Sequence, residues 1–485
     1  MSDSTGVVFP LVDGRRSTVA TGRAVVADAL RSVDPVGAAA TERETNWRAD
    51  YLGPFRRLVE AGLQSPEAAL TIAREGLSSI TGRMQWGDPD AADVPLSAAF
   101  GQAPSAVGTE EIVGTGEPEE ELSVPYRGER LRGAGLQRQV DAWVSAGVAE
   151  PSLAEAVDDV IAHPEWLSLP GTTVVVLGAA AEMGPLRSLL RWGGTVAAVD
   201  LPRPGLWETV LADSRESAGR LLVPARPGDA PLPQRAGGDL IHDLSTVATW
   251  VAGLRGRLLL GNYVYADGGT NVRVSCAVDA LTQYLRSARS RDEVALSFLA
   301  TPTDIFAVPG AAVAASAEAY ANRRVSKMLR GPLRTLSGGR LLRRNYAPGE
   351  DPGISDSVVL QQGPNYLLAK RVQRWRAALA RDEGVSVSFH VAPPTRTRSV
   401  IKNRALAAAY AGAHRFGIEV FEPGTSNTLM AALLVRDVMT GPRPSLGHVW
   451  QDEADGAVHG GLWRNAYEPR SALGLAALLG VGSSR

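Results

Sequence analysis

Residues 172–200 constrain the fold more than any other stretch of the chain. Thr172-Thr-Val-Val-Val-Leu177 is a short, apolar, β-branched run of the kind that is buried on both faces of a parallel sheet. It leads into Gly178-Ala-Ala-Ala-Glu-Met-Gly184 and then a helical pattern from Leu186 to Trp192. Gly193-Gly194 closes that helix, and Thr195-Val-Ala-Ala-Val-Asp200 reads as a second strand ending in an acid. A strand–turn–helix–strand unit of about thirty residues is what a dinucleotide site needs. Gly178 permits the tight turn, so that amides at the helix start face a pyrophosphate. Asp200, about twenty residues on, is placed to accept hydrogen bonds from the adenine ribose. The motif lacks its middle glycine, since Glu182 stands there. The alternative is a plain α/β unit whose glycines serve packing.

The second informative segment is Gly363-Pro-Asn-Tyr366-Leu-Leu-Ala-Lys370. Tyr366 and Lys370 are four apart, so on a helix they share a face, while Leu368, Val372, Trp375 and Leu379 form an apolar stripe on another. An ammonium beside a phenol is expected to favour phenolate and lower the tyrosine pKa. The chain has only three lysines, Lys327, Lys370 and Lys402, which makes a chance pairing rare. The alternative is a surface lysine on a core helix.

Tyr-x-x-x-Lys on a helix, followed by Val385-Ser-Val-Ser-Phe-His-Val-Ala-Pro-Pro-Thr395, resembles the short-chain dehydrogenase/reductase family. Asp239-Leu-Ile-His-Asp243-Leu244 is similar to that family's adenine-contacting strand, and Arg257-Leu-Leu-Leu-Gly-Asn262 to its next one. A helix at 272–287 and a strand at Val294–Leu299 continue the order, so the resemblance spans roughly 170–440. It implies cofactor contacts from Gly178, Met183, Gly184, Asp200, Asp243, Leu244, Asn262, Pro393 and Thr395. It implies Tyr366 as the acid/base and Lys370 as its partner, which would also hold the nicotinamide ribose. The hydroxyl that holds the substrate carbonyl would be Thr301 or Thr303 by element order, or Ser357 by distance along the chain. The glycine motif keeps only its first and last glycines, and Pro394 replaces the glycine after proline.

The resemblance predicts an α/β fold: a Rossmann-type, doubly wound parallel sheet over 166–485, preceded by a mainly helical region, 1–165, and interrupted by an insertion at about 305–360. It predicts an NAD(P)-dependent oxidoreductase interconverting a carbonyl and an alcohol. Asp200 favours NAD over NADP, with Arg203 as the residue that could accommodate a 2′-phosphate. Alternatives are a non-redox isomerase, dehydratase or lyase that retains NAD, and a non-catalytic nucleotide-binding module. Membership of the family would also imply a homo-oligomer.

Composition narrows the other classes. With 485 residues and a net charge of −2, the chain has no global basic charge for nucleic acid. One cysteine, Cys276, excludes an intramolecular disulfide framework, and six scattered histidines give no metal-ligand spacing, so no metal is expected. There is no apolar run of membrane-spanning length and no apolar block near the start, so a cytoplasmic protein is expected. Segment 86–128, with Glu117-Pro-Glu-Glu-Glu121, reads as a solvated loop. Segment 323–344 carries seven arginines and Lys327. It is either a capture surface for an anionic substrate or a solvated loop that pairs with the acidic stretch. His459-Gly-Gly-Leu-Trp463 reads either as part of the substrate mouth or as a tight turn.

Overall fold

Successive residues of the central strands enter two separate cores, which is why those strands read as unbroken apolar runs. The computed structural model describes residues 4–322 and 331–481. Its main sheet has seven strands: β1 (Gly108–Val113), β2 (Thr172–Leu177), β3 (Thr195–Val199), β4 (Arg220–Ala225), β5 (Arg257–Asn262), β6 (Val294–Ala300) and β7 (Val387–Val391). Their spatial order is β7-β6-β5-β2-β3-β4-β1. β2 to β7 run parallel, and β1 pairs antiparallel with β4 at the edge.

Val175, Leu177 and Val199 enter one core, together with helices Leu244–Ala252, Gly269–Ala288 and Gly363–Asp382. Val174, Val176 and Val196 enter the other, which includes helices Leu186–Arg191, Pro204–Glu216 and Pro423–Thr440. The chain order of the parallel strands reverses between β2 and β5, so loops leaving these two strands diverge and open a crevice at their C-terminal ends.

Two expectations are corrected here. The segment 239–243 is a turn, not a strand, because Asp239 folds the chain back on itself. Its Oδ1 accepts from the Ile241 amide at 2.9 Å and its carbonyl from the His242 amide at 3.1 Å. The strand that precedes it in the sheet is β4, carried by Leu221, Leu222 and Val223. The acidic interlude 86–128 is also not all loop, since it contains β1. Residues Glu117 to Glu121 do lie outside secondary structure, and Glu119 pairs with Arg130 and Arg191.

The N-terminal region is woven into the rest. Helices Thr18–Leu30 and Pro66–Arg83 share the first core with helix Gly363–Asp382. The strand Gly6–Val8 is held by Ile241, whose carbonyl accepts from the Val7 amide at 2.9 Å, and by Arg273, which donates to the Val7 carbonyl. Between β6 and helix Gly363–Asp382 an excursion opens on a hairpin, Ile305–Val308 against Gly353–Asp356, which encloses helix Gly310–Asn322.

Candidate functional site

At the end of β6 the chain continues as Thr301, Thr303 and Asp304, directly beside the start of helix Gly363–Asp382. Gly363 takes a left-handed φ of +72° and Pro364 occupies the first turn, where its missing amide donor costs nothing. Gln362, just before it, donates through Nε2 to Thr303 Oγ1 at 2.8 Å. Thr303 Oγ1 lies 2.9 Å from Thr301 Oγ1, and Thr301 is close enough to Tyr366 to act on its phenol. A hydrogen-bonded chain of side chains thus runs Gln362–Thr303–Thr301, toward Tyr366. Ser357 is elsewhere: its hydroxyl is 3.3 Å from that of Ser355 and its amide bonds the Asp304 carbonyl. Of Thr301, Thr303 and Ser357, the two threonines share a hydrogen bond, and Thr301 acts on the phenol of Tyr366.

Tyr366 and Lys370 do share a helix face, with Lys370 Nζ 6.0 Å from the ring centroid. Both side chains are half-buried. Lys370 donates to the Leu299 carbonyl at 3.1 Å and to Gln373 Oε1 at 3.2 Å, and makes no hydrogen bond to the phenol. Burial pushes the Tyr366 phenol above its ordinary pKa, against the opposing effect of Thr301, and pushes Lys370 down to about 8 against the attraction of Asp304. The expected lowering of the phenol pKa by Lys370 is therefore not found. Loss of hydration favours the neutral form of both groups, and the amine spends its donors elsewhere. Tyr265, more than half exposed, lies edge-on to Tyr366 with centroids 6.2 Å apart.

Asp304 fastens this corner from behind. It accepts from Arg371 at 3.3 Å and Arg374 at 3.0 Å, and both arginines also reach the Ile305 carbonyl. Arg374 is bidentate to Glu453, both contacts at 2.6 Å, and lies over the ring of Phe306.

The glycine loop lies two strands away. Gly178 has φ +86°, and a Cβ there would sit 2.9 Å from the Tyr263 carbonyl oxygen, so only glycine fits. The turn leads to a helix at Leu186–Arg191, as the pattern from Leu186 predicts. Residues 178–185 form successive turns, Ala181 amide to Gly178 carbonyl and Gly184 amide to Ala181 carbonyl, and the helix Leu186–Arg191 is only six residues long. Met183 packs half-buried against the second core. Asp200 takes the Ala180 amide on one oxygen at 2.9 Å and the Leu201 amide on the other at 2.7 Å, so it anchors the loop. Burial raises its pKa, and those two amides pull it back down. Glu182 accepts from the Arg398 amide at 2.9 Å and from its Nε at 3.2 Å, tying the loop to helix Arg398–Lys402.

The remaining cofactor candidates divide. Asn262, at the end of β5, is 4% exposed and its Oδ1 has no hydrogen-bond partner among the described residues. It lies opposite Leu177 on one side and Phe298 on the other, and so links the glycine loop to the tyrosine corner. Asp243 accepts from the Asp239 amide and faces Arg226 at 3.7 Å. Leu244 is fully buried in the first core, which removes its side chain from any ligand. Thr395 is engaged with the Pro393 carbonyl at 2.8 Å and with Ser426 at 2.6 Å.

His459 is not at a substrate mouth: it is wholly buried, held by Glu150 at 3.0 Å and stacked on Trp463. In the arginine-rich segment, residues 323–330 lie outside the described residues. Arg343 pairs with Glu468, and Arg334 and Arg344 gather on Tyr320, so these arginines pair neither with the acidic stretch nor with the tyrosine corner. Among the described residues no cluster of three or more His, Cys, Asp or Glu could hold a metal ion, and no helix is long and apolar enough to cross a membrane.

Sequence reasoning missed Gln362, Gln373, Asp304 and Tyr265. Gln362 could have been found from its place immediately before Gly363-Pro364. The others are selected by contacts across the fold and leave no local signal. No protein-family model, curated protein or solved structure matches the chain.

Proposed function

We propose that β2 to β7 form a Rossmann-type dinucleotide-binding sheet and that the chain is an NAD(P)-dependent oxidoreductase acting on a carbonyl/alcohol pair. One observation carries the reading: the hydrogen-bonded chain Gln362–Thr303–Thr301, with Thr301 acting on the phenol of Tyr366, stands at the tip of β6, beside the Asn262 strand and across from the glycine loop. The strand order, reversing between β2 and β5, supports it, because ligands of such sheets lie at that reversal. The buried, unpartnered Oδ1 of Asn262 is an acceptor in want of a donor from a bound group.

A nicotinamide would supply the hydride. Tyr366 gives its proton to the carbonyl oxygen in reduction and recovers it in oxidation. Thr301, oriented by Thr303 and Gln362, holds that oxygen in line with the phenol. Lys370, by turning a donor away from the Gln373 amide oxygen, would hold a ribose hydroxyl, and Asp200 would accept from the adenine ribose, favouring NAD over NADP.

Glu182 supports a second reading, a non-redox or non-catalytic nucleotide binder. Its carboxylate occupies the loop that a pyrophosphate would otherwise approach, partly offset by Arg398. A titration with NADH and NADPH, followed by nicotinamide fluorescence, separates the two. Saturable binding is expected, with NADH weakened about tenfold in Asp200→Ala, the loss of one charge-assisted hydrogen bond. Melting curves of both proteins check that loop 178–185 has not unfolded the chain. Failure of the folded wild type to bind either nucleotide would overturn the oxidoreductase reading.

A further inference from the structure

Helix Gly363–Asp382 carries four buried or half-buried cations in two turns: Lys370, Arg371, Arg374 and Arg376. Each arginine has its own acid, Asp304 for Arg371, Asp304 and Glu453 for Arg374, and Asp279 for Arg376. Lys370 has none: among the described residues no carboxylate lies within ion-pair distance of Nζ, which bonds only the Leu299 carbonyl and the Gln373 amide oxygen. Groups of permanent charge are paired here, and the one group able to shed its charge is left without a counter-ion. The hydrogen-bond count agrees. A neutral amine has two N–H donors and one lone pair, and two neutral acceptors are what Nζ meets. In that form the lone pair is on the helix face of Tyr366, with Nζ 6.0 Å from the ring centroid of a phenol that can donate a proton.

We infer that Lys370 is a nucleophilic amine that forms an imine with small carbonyl compounds, with Tyr366 supplying the proton that the carbonyl oxygen takes up. The nitrogen lone pair bonds to the carbonyl carbon, and the C=O π pair moves to oxygen, which takes the Tyr366 proton. The phenolate recovers a proton from the new ammonium, and the carbinolamine loses its oxygen as water to leave C=N. The downward pull of burial on Lys370, to about 8, is in keeping with such a role. No bound nucleotide is required, so the inference stands or falls separately from the oxidoreductase reading.

The test is reductive trapping of the full chain, without nucleotide, by propanal and cyanoborohydride, which delivers hydride to the imine carbon and is itself oxidised. Peptide mass spectrometry locates the propyl groups. Near neutral pH, Lys370 is expected to be alkylated about tenfold faster than the exposed Lys402, and its rate to fall as pH drops below about 8. In Tyr366→Phe the Lys370 rate is expected to drop about tenfold while Lys402 is unchanged. Alkylation of Lys370 no faster than Lys402 would overturn the inference. An unchanged Lys370 rate in Tyr366→Phe would overturn the part assigned to the phenol.

Discussion

Alanine in place of Asp304 is expected to lower stability by about 3–5 kcal/mol, the largest loss for any single substitution near the tyrosine corner. Asp304 is 1% exposed and is, among the described residues, the sole carboxylate paired with Arg371, which is itself 5% exposed. Removing it leaves a guanidinium in the interior whose pKa burial already depresses to about 10. Arg374 keeps Glu453, so the damage centres on Arg371 and on the 301–304 loop. Thermal and urea unfolding of the full chain measure the effect. A loss below about 1 kcal/mol would place the pair among those that merely offset their own desolvation.

Phenylalanine at position 366 is expected to reduce turnover of a carbonyl substrate by about two to four orders of magnitude, the usual worth of a positioned proton donor. A panel of aldehydes and ketones with NADH, run on wild type and variant, provides the measurement. Equal rates would remove Tyr366 from the chemistry. The direction of the phenol's pKa adds a pH signature. Because burial raises it, the phenol stays protonated through neutrality, so the reductive rate should be flat there. The oxidative rate needs phenolate and should climb with pH.

The strands β2 and β3 were legible in the sequence because burial on both faces demands an unbroken apolar run. β4 was not, since it begins at Arg220 and contains Pro224, while the apolar Leu240-Ile241 pair nearby mimics a strand that Asp239 folds into a turn. β1 was hidden for another reason: Gly-Thr-Glu-Glu-Ile-Val has the composition of a loop, and only its pairing along β4 makes it a strand. At the site, the four-residue spacing of Tyr366 and Lys370 was enough to put them on one face. Strand order was enough to bring Thr301 and Thr303 near, whereas distance along the chain pointed to Ser357. The electrostatic partnership did not follow, because whether an ammonium stays charged depends on how much water the fold leaves around it. Asp304 and its arginines lie 67 and 70 residues apart in the chain, and no local pattern announces such a pairing.

The antiparallel edge formed by β1 has a consequence for biosynthesis. During translation β1 leaves the ribosome about a hundred residues before β4, the strand along which it is hydrogen-bonded. For that interval Gly108–Val113 has no template, and its Glu110 and Glu111 are charges of the kind that blunt an unpaired strand. The relation is asymmetric. A polypeptide started at residue 166 would make β4 and leave Leu221, Leu222 and Val223 on an open edge, inviting a second copy to add its own strand. The first third of the chain therefore supplies, ahead of β4 in synthesis, the strand that covers this edge of the sheet.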